Sequence, residues 1–422
     1  TSVSKDDAIR RGNELNEDLC EEGFVLLKND NSALPLQKGA KIRVFGKNSV
    51  NPVYNGSGSG GTNNDNAISI YKSLRNADFK VNEVLEAFYN NNSRSGPARD
   101  GNPSIETGVQ VLATAETPYS YYTDDVTRSY SDYNHAAIIV LSRIGGEGWD
   151  LPRISGDDSS RHYLELDPNE QELVRQVTKA GFGKVIVLVN SLSIMEFGWA
   201  EDGTYGKIDA ALYVGGPGNS GMNALGKILN GEVNPSGRTV DTWAADFMEA
   251  PAAKNFGDNG KADGNVYTVN GAAKYFNFVD YEEGIYVGYR YYETRGLNDS
   301  AWYDTNVVYP FGYGKSYTKF SQTIVNKDEI DGEEIKKGEK ITVKVNVHNT
   351  GSTDGKDVVQ IYATAPYTPG GIEKAHKVLV GFAKTEVIRA GQSKTVEIEI
   401  DPYDFASYDY NDANGRNGKG YE

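Results

Sequence analysis

Cysteine is almost absent from this chain of 422 residues, and its single occurrence, Cys20, excludes an internal disulfide. The surrounding helical pattern favours a packed thiol over a reactive one. The only histidines, which lack the spacing of metal ligands, are His135, His162, His348 and His376. The sequence therefore predicts neither a metal site nor a cofactor of that kind.

Long apolar runs are also missing. No segment is long enough to span a bilayer, and the N-terminus lacks a signal-peptide pattern. These two absences favour a cytoplasmic protein that does not enter membranes. Tyrosine and glycine, with 28 and 47 residues, are by contrast abundant, as is common in loop-rich proteins that bind polar ligands.

Positive charge is in short supply. Lysine and arginine total 43 against 59 aspartates and glutamates, which gives a net charge of -16. Such a surface repels nucleic acids and anionic lipids. The composition therefore predicts no nucleic-acid partner and favours a neutral ligand.

Helical and strand patterns alternate from about residue 5 to residue 245. Residues 5–22 have helical spacing, with Ala8, Leu15 and Leu19 on one side. The helix that follows Asp167 has a strong start signal, with Pro168 at its first position and Glu170 at its third. Further helices are predicted over 67–74 and 221–229, and apolar strands over 24–27, 41–45, 136–141, 184–189 and 208–214. Apolar strands separated by helices predict a doubly wound, mostly parallel sheet covered on both faces, an α/β/α sandwich.

A second pattern begins near residue 316. Ile341, Val343, Val345 and Val347 alternate with polar residues, and further short strands are predicted over 358–362, 378–380 and 396–400. This spacing predicts an antiparallel all-β sandwich. We therefore divide the chain into an α/β/α domain over 1–250, a connector over 251–315 and a β-sandwich over 316–422. Residues 92–134 are polar and are predicted to be an insertion or exposed loop.

The stretch from Leu141 to Asp150 carries the clearest chemistry. It follows a buried strand and continues through glycines to one carboxylate, Glu147, and one indole, Trp149. Ligands of open α/β sheets bind beyond the carboxyl ends of the strands. Glu147 is therefore a candidate acid or base, and Trp149 offers a face on which a sugar could stack. Asp150 beside them is, on its own, better explained as a solvated loop charge than as a functional group.

A second glycine-rich loop, Tyr54–Gly61, follows the strand at 41–45. We expect it to converge with the Glu147 loop, with Ser57 or Ser59 donating hydrogen bonds, because both loops end parallel strands. A plain surface turn is the alternative. Nucleotide binding is disfavoured, because residues 62–66 separate the glycines from the next helix and no Gly-Lys-Ser/Thr follows.

Several ordered motifs resemble the carboxyl-terminal half of glycoside hydrolase family 3, the β-glucosidase and β-xylosidase family. Residues 23–36 resemble its "GxVLLKN…LPL" segment, and residues 215–238 its "PGQxGG…GxxNPSGRLP" run. Residues 281–292 and 310–318 resemble "Y.E.IYVGYRYY" and "FPFGxGLSYT". The region that follows resembles the family's fibronectin type III-like domain.

This resemblance implies a retaining glycosidase in which an Asp on a (β/α)8 barrel is the nucleophile and a Glu on the α/β sandwich is the acid/base. The family's "SR..GEGxD" motif is matched by residues 142–150, so Glu147 would be the acid/base. Arg143 and Asp150 belong to the same motif and would contact the substrate. Ser59 would bind sugar hydroxyls. Trp149 would shape the pocket edge or the aglycone side, and a structural role is the alternative. The family uses no cofactor.

The chain departs from the family in lacking the barrel, the nucleophile's "SDW"-type motif and the family's sugar-binding Lys-His and Arg residues. The fibronectin type III-like part also stops short of the family's last strand. We therefore expect the chain to be the acid/base-bearing part of an exo-acting β-glucosidase. Its expected partners are β-linked glucosides or oligosaccharides and a barrel that precedes or follows the chain, or is a separate chain.

Two alternatives to this interpretation stay open. The first is a β-xylosidase or N-acetylglucosaminidase, because the selecting residues would lie mostly on the barrel. The second is a carbohydrate-binding or scaffold relative without catalytic activity. The sequence does not decide whether the protein forms a homo-oligomer.

Overall fold

The computed structural model describes residues 3–56, 58–99, 114–147, 151, 161–255, 266–275, 281–413, 415 and 418–422. An α/β part lies at the amino-terminal side and an antiparallel β part at the carboxyl-terminal side, as the two sequence patterns predict. No helix within these ranges is both long enough and apolar enough to span a bilayer.

The α/β part is built on a six-stranded sheet. Its strands are β1 (Val25–Asn29), β2 (Lys41–Phe45), β3 (Lys80–Val81), β4 (Ala136–Arg143), β5 (Val185–Ser191) and β6 (Ala210–Tyr213). The strand order is β1-β6-β5-β4-β2-β3, and all neighbours are parallel except the edge strand β1, which runs antiparallel to β6. Every residue of β4 and β5 is buried, as is typical of strands covered on both faces. The predicted doubly wound sheet is confirmed.

Helices cover both faces of this sheet. They are α1 (Lys5–Gly23), α2 (Ile70–Asn76), α3 (Glu83–Asn90), α4 (Asn92–Ser95), α5 (Asp124–Arg128), α6 (Pro168–Lys179), α7 (Gly198–Asp202), α8 (Gly218–Gly221) and α9 (Asn223–Leu229). Leu74 of α2 and Leu225 of α9 belong to one apolar cluster, and Phe88 of α3 and Val174 of α6 belong to the other. The start of α6 has the predicted capping box, in which Asp167 and Glu170 each accept the other's backbone N–H.

Helix α1 turns its apolar residues away from the rest of the described chain. Leu15 and Leu19 are 59% and 61% exposed, although the sequence places them with Ala8 on one side of an amphipathic helix. The opposite side packs on α8, where Asn16 donates to the carbonyl of Pro217 at 3.0 Å. Cys20 lies on that packed side, and burial raises the pKa of its thiol to about 11, so it is an unreactive thiol, as predicted.

The predicted connector contains regular elements of its own. Strand β7 (Trp243–Ala244) precedes it. Its helices are α10 (Pro251–Asn255), α11 (Tyr289–Asn298) and α12 (Ser300–Asn306), and its strands are β8 (Val266–Val269), β9 (Ala272–Tyr275) and β10 (Val307–Tyr309). Strand β10 pairs with β7 of the α/β part, and the Trp243 indole is almost completely buried there.

The carboxyl-terminal part is antiparallel. It comprises β11 (Phe320–Ile324), α13 (Lys327–Ile330), β12 (Ile341–Asn349), β13 (Val358–Ala363), β14 (Val378–Lys384), β15 (Ser393–Ile400), β16 (Tyr408–Asp409) and β17 (Gly420–Tyr421). Strands β11, β12 and β15 form one sheet, and β13 pairs with β14. Val343, Val345 and Val347 point into the core between polar neighbours, which confirms the alternation predicted for this segment.

Short 3-10 turns link the elements. They lie at Asp30–Ser32, Lys47–Ser49, Gly58–Gly60, Tyr119–Tyr121, Ser129–Asp132, Phe247–Glu249 and Pro402–Phe405.

A pair of glycine substitutions tests the packing of α9 on α2. A Cβ at Gly226 would lie 2.7 Å from Ala77 Cβ and would clash with the Ser73 carbonyl, whereas a Cβ at Gly12 on α1 meets nothing within 4 Å. We expect Gly226→Ala to lower the free energy of unfolding by about 1–3 kcal/mol. Gly12→Ala should raise it by about 0.5–1 kcal/mol, because alanine favours an exposed helix. Urea unfolding measures both, and an unchanged stability of Gly226→Ala would contradict the close approach of the helices.

Candidate active site

The two glycine-rich loops meet at the carboxyl edge of the sheet, as expected from their positions after β2 and β4. The Ser59 backbone N–H donates to Oε2 of Glu147 at 2.6 Å, although 88 residues separate the two in the chain. Strands β2 and β4 are direct neighbours, which brings the loops that follow them together.

Gly58 makes this contact achievable. Its φ of +66° lies in the left-handed region, and a Cβ there would come within 2.6 Å of both Cβ and Oε2 of Glu147. A residue with a side chain would strain the backbone at this φ, and its Cβ would displace the Glu147 carboxylate. The Glu147 side chain therefore lies directly against the backbone of the glycine-rich loop.

Asn190, near the end of β5, fastens the glycine-rich loop to the sheet. Its side-chain amide is fully buried, accepts the Val53 N–H at 2.7 Å and donates to the carbonyls of Val53 and Gly215, each at 2.7 Å. Sequence reasoning did not single out Asn190. The available signal was an amide at the end of an apolar strand, where a buried polar group requires partners.

Arg143 does not occupy the position that the motif suggested. Its side chain is completely buried, and Nη1 and Nη2 form a bidentate pair with the Glu170 carboxylate, at 2.7 Å each. The remaining N–H groups donate to the backbone carbonyls of Ser142, Tyr163 and Glu165. All five N–H groups are used, so the expectation that Arg143 contacts the substrate does not fit this geometry. Arg143 instead holds the end of β4 in place.

Glu147 itself is exposed. Interaction with the Ser59 side chain, and then the hydrogen bond from the Ser59 backbone N–H, holds the pKa of Glu147 below its usual value. Within the described part of the chain this carboxyl is therefore an anion at neutral pH. An anion in this position accepts protons, whereas a proton donor would need a further influence that raises its pKa.

The other predicted site residues cannot be placed in this geometry. Ser57, Trp149 and Asp150 lie outside the described residues. Their predicted contacts with a sugar stay predictions. So does the sugar contact of Ser59, whose backbone and side chain interact with Glu147.

A cavity of about 490 Å³ adjoins the two loops, a size that suits a small ligand. Its lining is mostly polar and includes Tyr54, Asn55, Asn64 and Arg99. The Arg99 guanidinium donates to Oδ1 of Asn48 at 2.8 Å and to the Asn51 carbonyl at 3.2 Å. Amides and a guanidinium are groups that hydrogen-bond sugar hydroxyls. Sequence reasoning missed Arg99, because it treated residues 92–134 as an exposed insertion.

His162 lies close to two carboxylates that are distant from it in the sequence. His162, Glu196 and Asp246 have ligand atoms within 4.8 Å of one another. His162 Nε2 lies 2.7 Å from Oε1 of Glu196, and Nδ1 accepts the Leu164 N–H at 3.2 Å. Both ring nitrogens of His162 are thus hydrogen-bonded within the fold. We interpret His162, Glu196 and Asp246 as a structural link between neighbouring loops.

Two family models match the chain. The glycosyl hydrolase family 3 C-terminal domain matches residues 24–289, and the fibronectin type III-like domain matches residues 357–417. The first match alone covers more than half of the chain and includes both loops of the site.

Curated relatives and solved structures agree with these matches. β-Glucosidase A of Butyrivibrio fibrisolvens is 32% identical over 92% of this chain and 45% of that protein, and a β-glucosidase of Ruminococcus albus is 33% identical over 92% of this chain and 36% of that protein. β-Glucosidase 3B of Thermotoga neapolitana, solved in complex with glucose, has 30% identity and a TM-score of 0.74 over 95% of this chain and 50% of that chain. This chain thus spans half or less of each of these proteins.

The contact between the loops makes a prediction about the pKa of Glu147. Gly58→Ala should separate Glu147 from the Ser59 N–H and raise that pKa towards its usual value, because the bond favours the ionised form. Gly60→Ala is the matched control, since a Cβ there meets nothing within 4 Å. NMR titration of the labelled carboxyl measures both, and equal pKa values in the two variants would show that Gly58 does not control the contact.

Proposed function

Because the chain belongs to glycosyl hydrolase family 3, we propose that it carries the general acid/base of a retaining β-glucosidase and that this residue is Glu147. The observation that supports the proposal most strongly is the contact of Glu147 with Ser59 and Gly58. It holds an exposed carboxylate at the sheet edge where α/β proteins bind ligands.

In this proposal Glu147 acts twice. It first donates a proton to the glycosidic oxygen while an Asp on a (β/α)8 barrel attacks the anomeric carbon and forms a glycosyl-enzyme. It then accepts a proton from the water that hydrolyses this intermediate. The two carboxyl groups of a retaining enzyme lie about 5–5.5 Å apart. The sequence contains no "SDW"-type nucleophile motif, so the attacking residue would lie outside this chain.

The low pKa of Glu147 suits the second of these steps. The first step requires a protonated carboxyl, and an anionic nucleophile nearby would raise the pKa of Glu147. Once the nucleophile is esterified, its charge is gone and the bonds from Ser59 again favour the anion. The same carboxyl can then serve as the base.

The substrates in this proposal are β-glucosides, including β-linked oligosaccharides with a terminal glucose. The names of the relatives and the glucose complex of a structural neighbour support this class. Ser59 would bind a sugar hydroxyl, and the cavity lined by Arg99, Asn55 and Asn64 would take part of the substrate. A β-xylosidase or N-acetylglucosaminidase would use the same acid/base.

A non-catalytic carbohydrate-binding protein is the second candidate. The polar cavity beside the loops favours it as much as it favours an enzyme. The two candidates differ in whether the complete protein releases the leaving group from a β-glucoside.

Substitution of Glu147 in the complete protein tests the catalytic proposal. With Glu147→Gln, we expect kcat/KM for alkyl β-glucosides, which are poor leaving groups, to fall about 100-fold to 10,000-fold, the usual contribution of a general acid. The loss should be much smaller for dinitrophenyl β-glucoside, which departs without a proton. Azide should restore turnover of dinitrophenyl β-glucoside by attacking the glycosyl-enzyme and forming a glucosyl azide.

The matched control is Glu232→Gln, which neutralises an exposed carboxylate that lies 3.6 Å from the ammonium group of the exposed Lys38. It should leave both rates unchanged. An equal loss for both substrates with Glu147→Gln, or turnover at the level of the unchanged protein, would refute the assignment of Glu147.

A further inference from the structure

We propose that Tyr163 is a positioning residue for Glu147, and that it sets the direction in which the catalytic loop leaves β4. This inference rests on the proposed function, because it concerns the same carboxyl. Tyr163 belongs neither to the motif around Glu147 nor to the glycine-rich loop. It lies 16 residues after Glu147 in the chain.

The contacts of Tyr163 fix the start of that loop. The Ile144 N–H donates to the Tyr163 hydroxyl at 3.0 Å, and Nε of Arg143 donates to the Tyr163 carbonyl at 2.6 Å. Tyr163 is 1% exposed. Two consecutive residues at the end of β4 are thus bonded to one buried tyrosine.

Tyr163 is itself held in place by Arg143. Arg143 pairs with Glu170, whose carboxylate also accepts the Asp167 N–H at 2.9 Å at the start of α6. Arg143 and Glu170 are almost completely buried, with side-chain exposures of 0% and 1%. A buried bidentate pair with further hydrogen bonds permits little movement, so strand end, helix start and Tyr163 form one unit.

The position of Ile144 explains why its N–H matters for Glu147. Gly145 and Gly146 separate the two residues, and glycines allow the backbone many directions. Ile144 is the last residue with a side chain before the carboxylate, which is itself held by Ser59. The described residues offer the buried Ile144 N–H no other hydrogen-bond acceptor than the Tyr163 hydroxyl. Loss of that hydroxyl would let the loop start vary in direction.

Tyr163 acts through the loop and does not touch the substrate. Tyr163 is buried in the protein interior, where its hydroxyl accepts the Ile144 N–H just after β4. Its removal should therefore affect the step in which the orientation of Glu147 matters, which is proton donation to a poor leaving group. A merely structural role would lower the rates of all substrates alike.

The test is Tyr163→Phe in the complete protein, with kcat/KM measured for an alkyl β-glucoside and for dinitrophenyl β-glucoside. We expect a loss of about tenfold for the alkyl glucoside, the kinetic equivalent of roughly one hydrogen bond. For the dinitrophenyl glucoside we expect the rate to stay within about twofold. The ratio of the two kcat/KM values is the readout, because a fall in the amount of folded protein cancels from it.

Tyr317→Phe is the matched control. The Tyr317 hydroxyl belongs to a half-buried side chain and donates to the Ile228 carbonyl at 2.8 Å, and none of its described contacts is with the loop of Glu147. This variant should leave the ratio unchanged. If little Tyr163→Phe folds at the assay temperature, the same ratio is measured at a lower temperature on the folded fraction.

An unchanged ratio in Tyr163→Phe, or the same change in Tyr317→Phe, would overturn the positioning role. Glu147→Gln, assayed with the same two substrates, separates the two proposals. If that variant shows no dependence on the leaving group, the proposed function fails. If it shows the dependence and Tyr163→Phe does not, only the role of Tyr163 fails.

Discussion

The buried guanidinium of Arg143 is the constraint on which the candidate site depends. A charged group without access to water must find acceptors for its N–H groups, and Arg143 finds five within the fold. Those acceptors come from the end of β4, the segment around Tyr163 and the start of α6. One side chain thus fixes three pieces of chain relative to one another, and the loop with Glu147 starts from the fixed point.

The opposite side of the site is built mainly from backbone. Gly58 allows the glycine-rich loop to reach Glu147, and the Asn190 amide ties the start of that loop to the sheet. The described chain therefore arranges the proposed acid/base without help from another domain. What it does not supply is a negative charge near Glu147, so the carboxyl stays ionised. We therefore propose that the α/β/α sandwich sets the position of Glu147 and that the nucleophile sets its protonation state.

Local patterns in the sequence were sufficient for much of this architecture. The apolar run at 136–141 predicted β4, the capping box predicted the start of α6, and the position of two glycine-rich loops after parallel strands predicted their contact. The hydrogen-bond partners of individual buried side chains could not be predicted. The motif around Arg143 predicted a contact with the substrate. Four of the five acceptors of Arg143, however, lie 20–27 residues away in the chain, and only the fold brings them together. Similarly, helical spacing grouped Leu15 with Leu19 but could not decide which side of α1 packs.

The central claim is that Glu147 alternates between acid and base under the influence of a nucleophile on another domain. Its most direct test is a titration of the Glu147 carboxyl by NMR in the complete protein, before and after the nucleophile is esterified with a 2-deoxy-2-fluoroglucoside. The account predicts a pKa above the usual value of a glutamate in the free protein and a marked fall once the intermediate is trapped. A pKa that is the same in both states would contradict it.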